Sequence, residues 1–186
     1  MVELFLVRHG ETQENLDGIL QGHLPGRLTA NGVRQAETLR RELEGERFDV
    51  LLVSDLARTV ATARVLNEAF GLPLVTTSLL RERDWGSLTG CRIAEARRAP
   101  FPPDVEGVEA MAERARAFLS FVCGHYDGCR VLAVGHGLFN RCILSVLTGR
   151  PIAEIPRWGN AEARRVVVTH LPDGSFRPTE AGASAD

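Results

Sequence analysis

The sequence predicts an α/β protein in which a mainly parallel sheet is covered by helices on both faces. Apolar segments typical of buried strands alternate along the chain with segments of helical periodicity. Three of these strands are followed closely by residues that suit anion binding, namely Arg8 with His9, Arg58, and His136. Because the carboxyl ends of parallel strands meet at one edge of a sheet, we expect these side chains to converge there.

The first predicted strand comprises four consecutive apolar residues, Leu4–Val7, and ends at Arg8 and His9. Residues 13–28 predict a polar, glycine-punctuated loop whose length suggests a functional role. Thr29 predicts the N-cap of a helix that extends to about Glu44, since apolar residues recur along that segment at helical spacing.

The second strand is predicted at residues 49–53, and a helix that Gly71 closes follows it directly. Arg58 lies in the first turn of that helix, where free backbone N–H groups and the helix dipole already favour an anion. A cation there is locally unfavourable, and an anionic ligand would resolve the conflict. The alternative is a surface ion pair between Arg58 and Asp55.

The remaining elements continue the alternation of strands and helices. The sequence predicts a strand at 72–75, a short helix at 91–98, a helix at 104–123, a strand at 130–134, a helix at 138–147 and a strand at 164–170. The strand at 130–134 leads into Gly135-His136-Gly137, which repeats the arrangement at the start of the chain. We expect one domain over residues 1–171 and a flexible tail over residues 172–186.

The composition argues against several classes of site. All 22 basic residues are arginine, so a Walker A, Schiff-base or pyridoxal-phosphate lysine is absent. The net charge of −2 gives no indication of a nucleic-acid partner, and the four cysteines form no C-x-x-C pair. No apolar run suggests a signal peptide or membrane span, so a cytoplasmic location without a membrane partner is expected.

The converging residues suit phosphoryl transfer. Arginine binds phosphate oxygens in a bidentate, planar geometry, and a neutral His9 could attack phosphorus in line to form a phosphohistidine. Glu82 and Asp84, in the charged loop at residues 81–90, are candidates for the acid that protonates the leaving oxygen. No pattern typical of a metal centre is present, so neither a metal nor another cofactor is expected.

Several segments, in order, resemble the phosphoglycerate-mutase-like branch of the histidine phosphatase superfamily. They are Arg8-His9-Gly10-Glu11-Thr12, Leu28-Thr29 with Gly32, Ser54–Thr59 with Thr62-Ala63, Arg81-Glu82 with Gly86 and Gly90, and Gly135-His136-Gly137. The resemblance spans residue 2 to about residue 168. It implies a three-layer α/β/α sandwich in which His9 is phosphorylated and Glu82 is the proton donor. It also implies that Arg8, Arg58 and His136 form the pocket for the phosphoryl oxygens.

The same resemblance supplies further candidates for substrate contacts, which are Asn15, Gln21, Gly22, Gly137 and Asn160. Arg92, together with Arg97 and Arg98, could bind a second anionic group or could simply face solvent. Two departures from the family pattern concern substrate contacts. Pro25 stands where an aspartate is usual, and a Gly-Glu-Ser motif is reduced to Gly107-Val108-Glu109.

A metal-independent phosphomonoesterase acting on a small phosphorylated metabolite is the favoured function. The interval between Glu82 and His136 is shorter than in the related mutases, and apolar Leu138-Phe139 follow the His-Gly pair. The alternatives are a phosphoglycerate mutase and a non-catalytic phosphate-binding protein. Glu11, Asp84 and Glu109 remain alternative acids or contacts, and both a monomer and a homodimer are compatible with the sequence.

Overall fold

The computed structural model of the protein describes residues 1–179, and a six-stranded sheet forms its centre. The strands are β1 (Val2–Arg8), β2 (Val50–Ser54), β3 (Leu74–Thr77), β4 (Arg130–Gly135), β5 (Ala163–His170) and β6 (Phe176–Thr179). They lie in the order β3-β2-β4-β1-β5-β6. Strands β1 to β4 are parallel, whereas β5 and β6 add an antiparallel edge. The predicted mainly parallel α/β fold is therefore confirmed.

Helices cover both faces of the sheet. They are α1 (Gln13–Leu16), α2 (Ala30–Glu42), α3 (Ala57–Asn67), α4 (Ile93–Ala96), α5 (Val108–His125) and α6 (Gly137–Thr148). Along β1, Leu4 and Leu6 pack on the side of α5 and α6, while Phe5 and Val7 pack on the side of α2 and α3. Because successive strand residues point to opposite faces, a strand buried on both sides must be apolar throughout. None of the helices within residues 1–179 is long and apolar enough to cross a membrane.

Four local predictions differ from the structure. The helix predicted at 104–123 begins four residues later, as α5. The predicted loop at 13–28 contains the short helix α1, whose first turn is capped by the Thr12 side chain. The strand predicted at 72–75 forms two residues later, as β3. The flexible tail predicted for 172–186 is wrong for residues 176–179, because β6 pairs with the open edge of β5 and Phe176 stacks on His170. Residues 180–186 lie outside the described residues.

Candidate active site

His9 stands at the carboxyl end of β1 and is held by its own backbone neighbours. Its amide donates to the carbonyl of Gly135 on the adjacent strand at 3.1 Å. The Nδ1 atom of the ring lies 2.7 Å from the carbonyl oxygen of Gly10. Since a carbonyl only accepts, Nδ1 carries the proton and Nε2 retains its lone pair.

The environment of His9 keeps the imidazole neutral. The residue is 3% exposed. Burial, reinforced by the positive charges of Arg58 and Arg8, lowers the pKa of His9 well below its ordinary value. A neutral imidazole with a free Nε2 is the form that can act as a nucleophile.

Arg58 is buried in the first turn of α3 and holds the long loop that precedes α2. Its guanidinium donates to the carbonyl oxygens of Gly22, at 2.8 Å, and of Leu24. Burial lowers the pKa of Arg58 to about 10, which still leaves it charged at neutral pH. The surface ion pair with Asp55 does not form, because Asp55 pairs with Arg81 at 2.6 Å.

His136 lies behind these two residues rather than on the cavity wall. Arg58 donates to its Nδ1 at 3.1 Å, so the proton of the ring resides on Nε2 and is donated to Ser54 Oγ at 2.9 Å. Both ring nitrogens are therefore engaged within the protein. The ring centroid lies 5.3 Å from that of His9. His136 therefore contacts Arg58 directly. The contact with phosphoryl oxygens that the family resemblance implies for His136 stays a prediction.

Ser54 stands at the end of β2 in a segment that resembles the family, but no role in the site was predicted for it. It is fully buried, and its hydroxyl receives the His136 proton. Thr62 is a second such residue, since its hydroxyl accepts from the Gly10 amide at 3.0 Å. Both residues fix the backbone and rings behind His9.

The carboxylate of Glu82 sits at the N-terminus of α6. Its oxygens accept from the backbone N–H groups of Phe139 at 3.1 Å and Leu138 at 3.3 Å. A helix N-terminus stabilises negative charge through these free N–H groups and the dipole. The position of Glu82 is thus fixed relative to the strand that carries His136.

The other acidic candidates are held elsewhere. Glu11 accepts from Thr29 Oγ1 at 2.7 Å, and Asp84 accepts from the Gly86 amide at 2.9 Å. Glu109 is exposed in the first turn of α5. Among the four carboxylates that the sequence offered, Glu82 is the one that lines the cavity containing His9.

Arg114, on α5, fixes the segment that carries Glu82. Its guanidinium donates to the carbonyl of Arg81 at 2.6 Å and to the Glu106 carboxylate at 2.8 Å. The same group stacks over the ring of Phe139 at 3.9 Å, and the Phe139 amide donates to the Glu82 carboxylate. One partly buried cation therefore holds both the loop and the helix terminus that meet at the carboxylate.

Two adjoining cavities open at this edge of the sheet. The inner cavity has a volume of about 140 Å³ and is lined by the ring of Trp85 and by polar side chains, including Arg8, His9, Gln21, Arg58 and Glu82. The outer cavity, of about 310 Å³, shares Arg8, Leu20 and Trp85 with it. Arg8 and Arg58 both line the inner cavity, and the Nε atom of each is buried without a hydrogen-bond partner among the described residues.

The structure brings most of the predicted contact residues to the inner cavity. Asn15, Gln21 and Gly22 line it, and Gln21 is 7% exposed. Asn160 does not line this cavity but contacts residues that do. Its Nδ2 donates to Asn15 Oδ1 at 3.1 Å and to the His9 carbonyl at 3.3 Å. Gly137 lies on the outer cavity, where a Cβ atom would come within 3.1 Å of the Arg8 side chain.

Arg92 is not brought to either cavity. It is exposed and precedes α4, and its backbone bridges to Ile19. The helical turn that follows carries Arg97 to the wall of the outer cavity instead. Of the three arginines named from the sequence, Arg97 lines the outer cavity, whereas Arg92 and Arg98 do not.

Comparison with known proteins places this arrangement in a family. The family model for the histidine phosphatase superfamily (branch 1) matches residues 4–179. The chain is 33% identical to the phosphatase PhoE of Bacillus subtilis, described as uncharacterized, over 80% of this chain and 79% of that protein. It is 36% identical to the probable phosphoglycerate mutase GpmB of Yersinia enterocolitica, over 81% of this chain and 77% of that protein.

A solved structure extends the comparison to the fold. The alpha-ribazole phosphatase of Shigella flexneri superposes with a TM-score of 0.82 at 26% identity, covering 95% of this chain and 94% of that one. Relatives named as phosphatases and as mutases thus share sequence with this protein, and a solved phosphatase structure shares its architecture. The chain belongs to the histidine phosphatase superfamily (branch 1).

Proposed function

We propose that the protein is a metal-independent phosphomonoesterase that acts on a small phosphorylated metabolite through a phosphohistidine on His9. The observation that carries the proposal is the tautomer of His9. With Nδ1–H bound to the Gly10 carbonyl, Nε2 is left as the nucleophile of a ring that burial keeps neutral. Arg8 and Arg58 line the same cavity and supply the positive charge that a phosphoryl group needs in transfer.

In the first step, His9 Nε2 attacks phosphorus and forms an N–P bond as the bond to the leaving oxygen breaks. Glu82, in its acid form, gives its proton to that oxygen, and the alcohol departs. In the second step, the Glu82 carboxylate takes a proton from water, whose oxygen attacks phosphorus. The N–P bond breaks, inorganic phosphate is formed, and His9 returns to its neutral state.

The test is phosphate release from a panel of phosphomonoesters with a chelator present throughout. His9→Asn should lower the rate by about 10³-fold or more, as removal of a nucleophile does. His125→Asn is the matched control, because His125 is an exposed residue on α5. Wild-type enzyme quenched during turnover should carry an acid-labile, alkali-stable phosphate that His9→Asn lacks. Full activity of His9→Asn would overturn the proposal.

A phosphoglycerate mutase is the second candidate, and the mutase name of the Yersinia relative favours it. Isomerisation of 3-phosphoglycerate in the presence of 2,3-bisphosphoglycerate, without net phosphate release, would establish that function in place of the first. The short helix α4 and the open outer cavity support hydrolysis, because water must reach the phosphoenzyme.

A further inference from the structure

The outer cavity carries a pattern of charge that the phosphoryl chemistry does not use. Besides Arg8, three arginines line it: Arg97 on the turn after α4, Arg141 on α6, and Arg157 on the segment that precedes β5. None of these three forms an ion pair with a carboxylate anywhere in residues 1–179. No Asp or Glu belongs to the described wall of this cavity.

Arg141 is held in place by the protein itself. Its Nε donates to the carbonyl of Ile155 at 2.9 Å, and a terminal nitrogen donates to the carbonyl of Ile152. Burial and the positive charges of Arg157 and Arg164 lower the pKa of Arg141, so like charges are crowded at this wall. Crowded, unpaired cations with a preorganised member are what an anion site requires.

Apolar side chains also line the outer cavity, and one of them, Trp85, lines the inner cavity as well. Trp85 and Phe101 meet edge to face with centroids 5.5 Å apart, and Trp158 forms part of the same wall. Phe101 is 44% exposed, so its ring is accessible at the rim of the cavity. The volume of about 310 Å³ is also larger than a three-carbon acid would fill.

We infer that the outer cavity binds the leaving group of a phosphomonoester that has a flat apolar body and a second anionic group at its far end. The phosphoryl group occupies the inner cavity, the apolar body lies along Trp85 and Phe101, and the distal carboxylate or phosphate binds Arg97, Arg141 and Arg157. This inference rests on the phosphomonoesterase activity proposed above, since it assigns the cavity to the part of the substrate that leaves.

The experiment compares phenyl phosphate with 4-(carboxymethyl)phenyl phosphate and 4-(phosphonomethyl)phenyl phosphate. The wild type should show a kcat/KM about tenfold higher or more for one or both of the doubly anionic esters, because a charge-assisted contact contributes that much. The two arms distinguish a carboxylate from a phosphate group. The double substitution Arg97→Gln and Arg157→Gln should reduce this ratio to near one. Both side chains are exposed and make no hydrogen bond within residues 1–179, so folding should be retained.

Arg92→Gln is the matched control, because Arg92 lies on the same segment but outside the cavity. It should keep the wild-type ratio. A wild-type ratio near one, or a ratio that the double substitution leaves unchanged, would overturn the inference. Binding of phenylphosphonate and 4-(carboxymethyl)phenylphosphonate, measured by calorimetry, separates this failure from that of the proposed function. If 4-(carboxymethyl)phenylphosphonate binds more tightly than phenylphosphonate but no ester is hydrolysed, the anion subsite is supported and the proposed phosphatase activity is rejected.

Discussion

At the scale of single residues, His9 and Glu82 differ in which of their polar atoms already form hydrogen bonds within the protein. The ring of His9 has one nitrogen bound to Gly10 and one free, which suits a nucleophile. The carboxylate of Glu82 receives backbone N–H groups at the N-terminus of α6 but still lines the inner cavity. It can therefore exchange a proton with the leaving oxygen and then with water.

This division of roles predicts a dependence on the leaving group for Glu82→Gln. Hydrolysis of an alkyl phosphate such as glycerol 2-phosphate should fall by about 10²- to 10⁴-fold, because its alkoxide cannot depart without a proton. Hydrolysis of 4-nitrophenyl phosphate should fall by less than about tenfold, since nitrophenolate is a stable leaving group. Steady-state kcat values for both substrates provide the measurement.

Asp84→Asn is the control for this prediction, because Asp84 is the neighbouring carboxylate that the sequence could not separate from Glu82. Its carboxylate caps the Gly86 amide and does not line the inner cavity. Asp84→Asn should therefore lower kcat only slightly, and to the same extent for both substrates. Equal losses on both substrates for Glu82→Gln would reject the acid role.

The sequence could indicate His9, Arg8 and Arg58 because each follows the carboxyl end of a strand, and strand ends are visible as apolar runs. It could not show that His136 bonds Ser54, since that contact joins β2 to β4 across 82 positions of the chain. The error at Arg92 has a similar cause. Which side of a short helix faces a cavity depends on how that helix packs, and α4, with four residues, is too short to show an apolar periodicity.

At the scale of elements, the loop that carries His9 is pressed against the start of α2. A Cβ atom on Gly10 would lie 2.4 Å from the Gly32 carbonyl oxygen, and one on Gly32 would lie 2.1 Å from the Glu11 carbonyl oxygen. Two backbones can approach so closely only where neither residue has a side chain. The position of His9 thus depends on a glycine in a helix that contributes no side chain to the inner or the outer cavity.

Gly32→Ala should therefore destabilise the protein by about 1–3 kcal/mol, even though alanine favours helix. The helix must move away from the loop to accommodate the methyl group, so kcat should fall as well. Gly45→Ala is the matched control, because nothing lies within 4 Å of its Cβ position, and its effect should stay within about 0.5 kcal/mol. Chemical denaturation of the three proteins measures the difference. Equal stability of Gly32→Ala and wild type would show that the contact is easily relieved.

At the scale of the whole molecule, the same burial that prepares the site makes the fold sensitive to acid. His9 and His136 are both buried, and burial together with the charge of Arg58 lowers the pKa of each well below 6.5. In the unfolded chain both histidines titrate near 6.5. Below that pH the unfolded state binds protons that the folded state refuses, so the free energy of unfolding decreases as the pH falls.

Above pH 6.5 both histidines are neutral in the folded and the unfolded state, and the free energy of unfolding has its full value. It declines as the pH falls from 6.5 towards the lowered pKa values of the folded state. We expect the free energy of unfolding, measured in urea from about pH 7.5 to about pH 5, to fall with a slope that His9→Asn makes shallower. His125→Asn should keep the wild-type slope, since its ring is exposed. A His9→Asn slope as steep as that of the wild type would mean that His9 binds a proton as readily in the folded protein as in the unfolded chain, so that burial would not be what keeps this imidazole neutral.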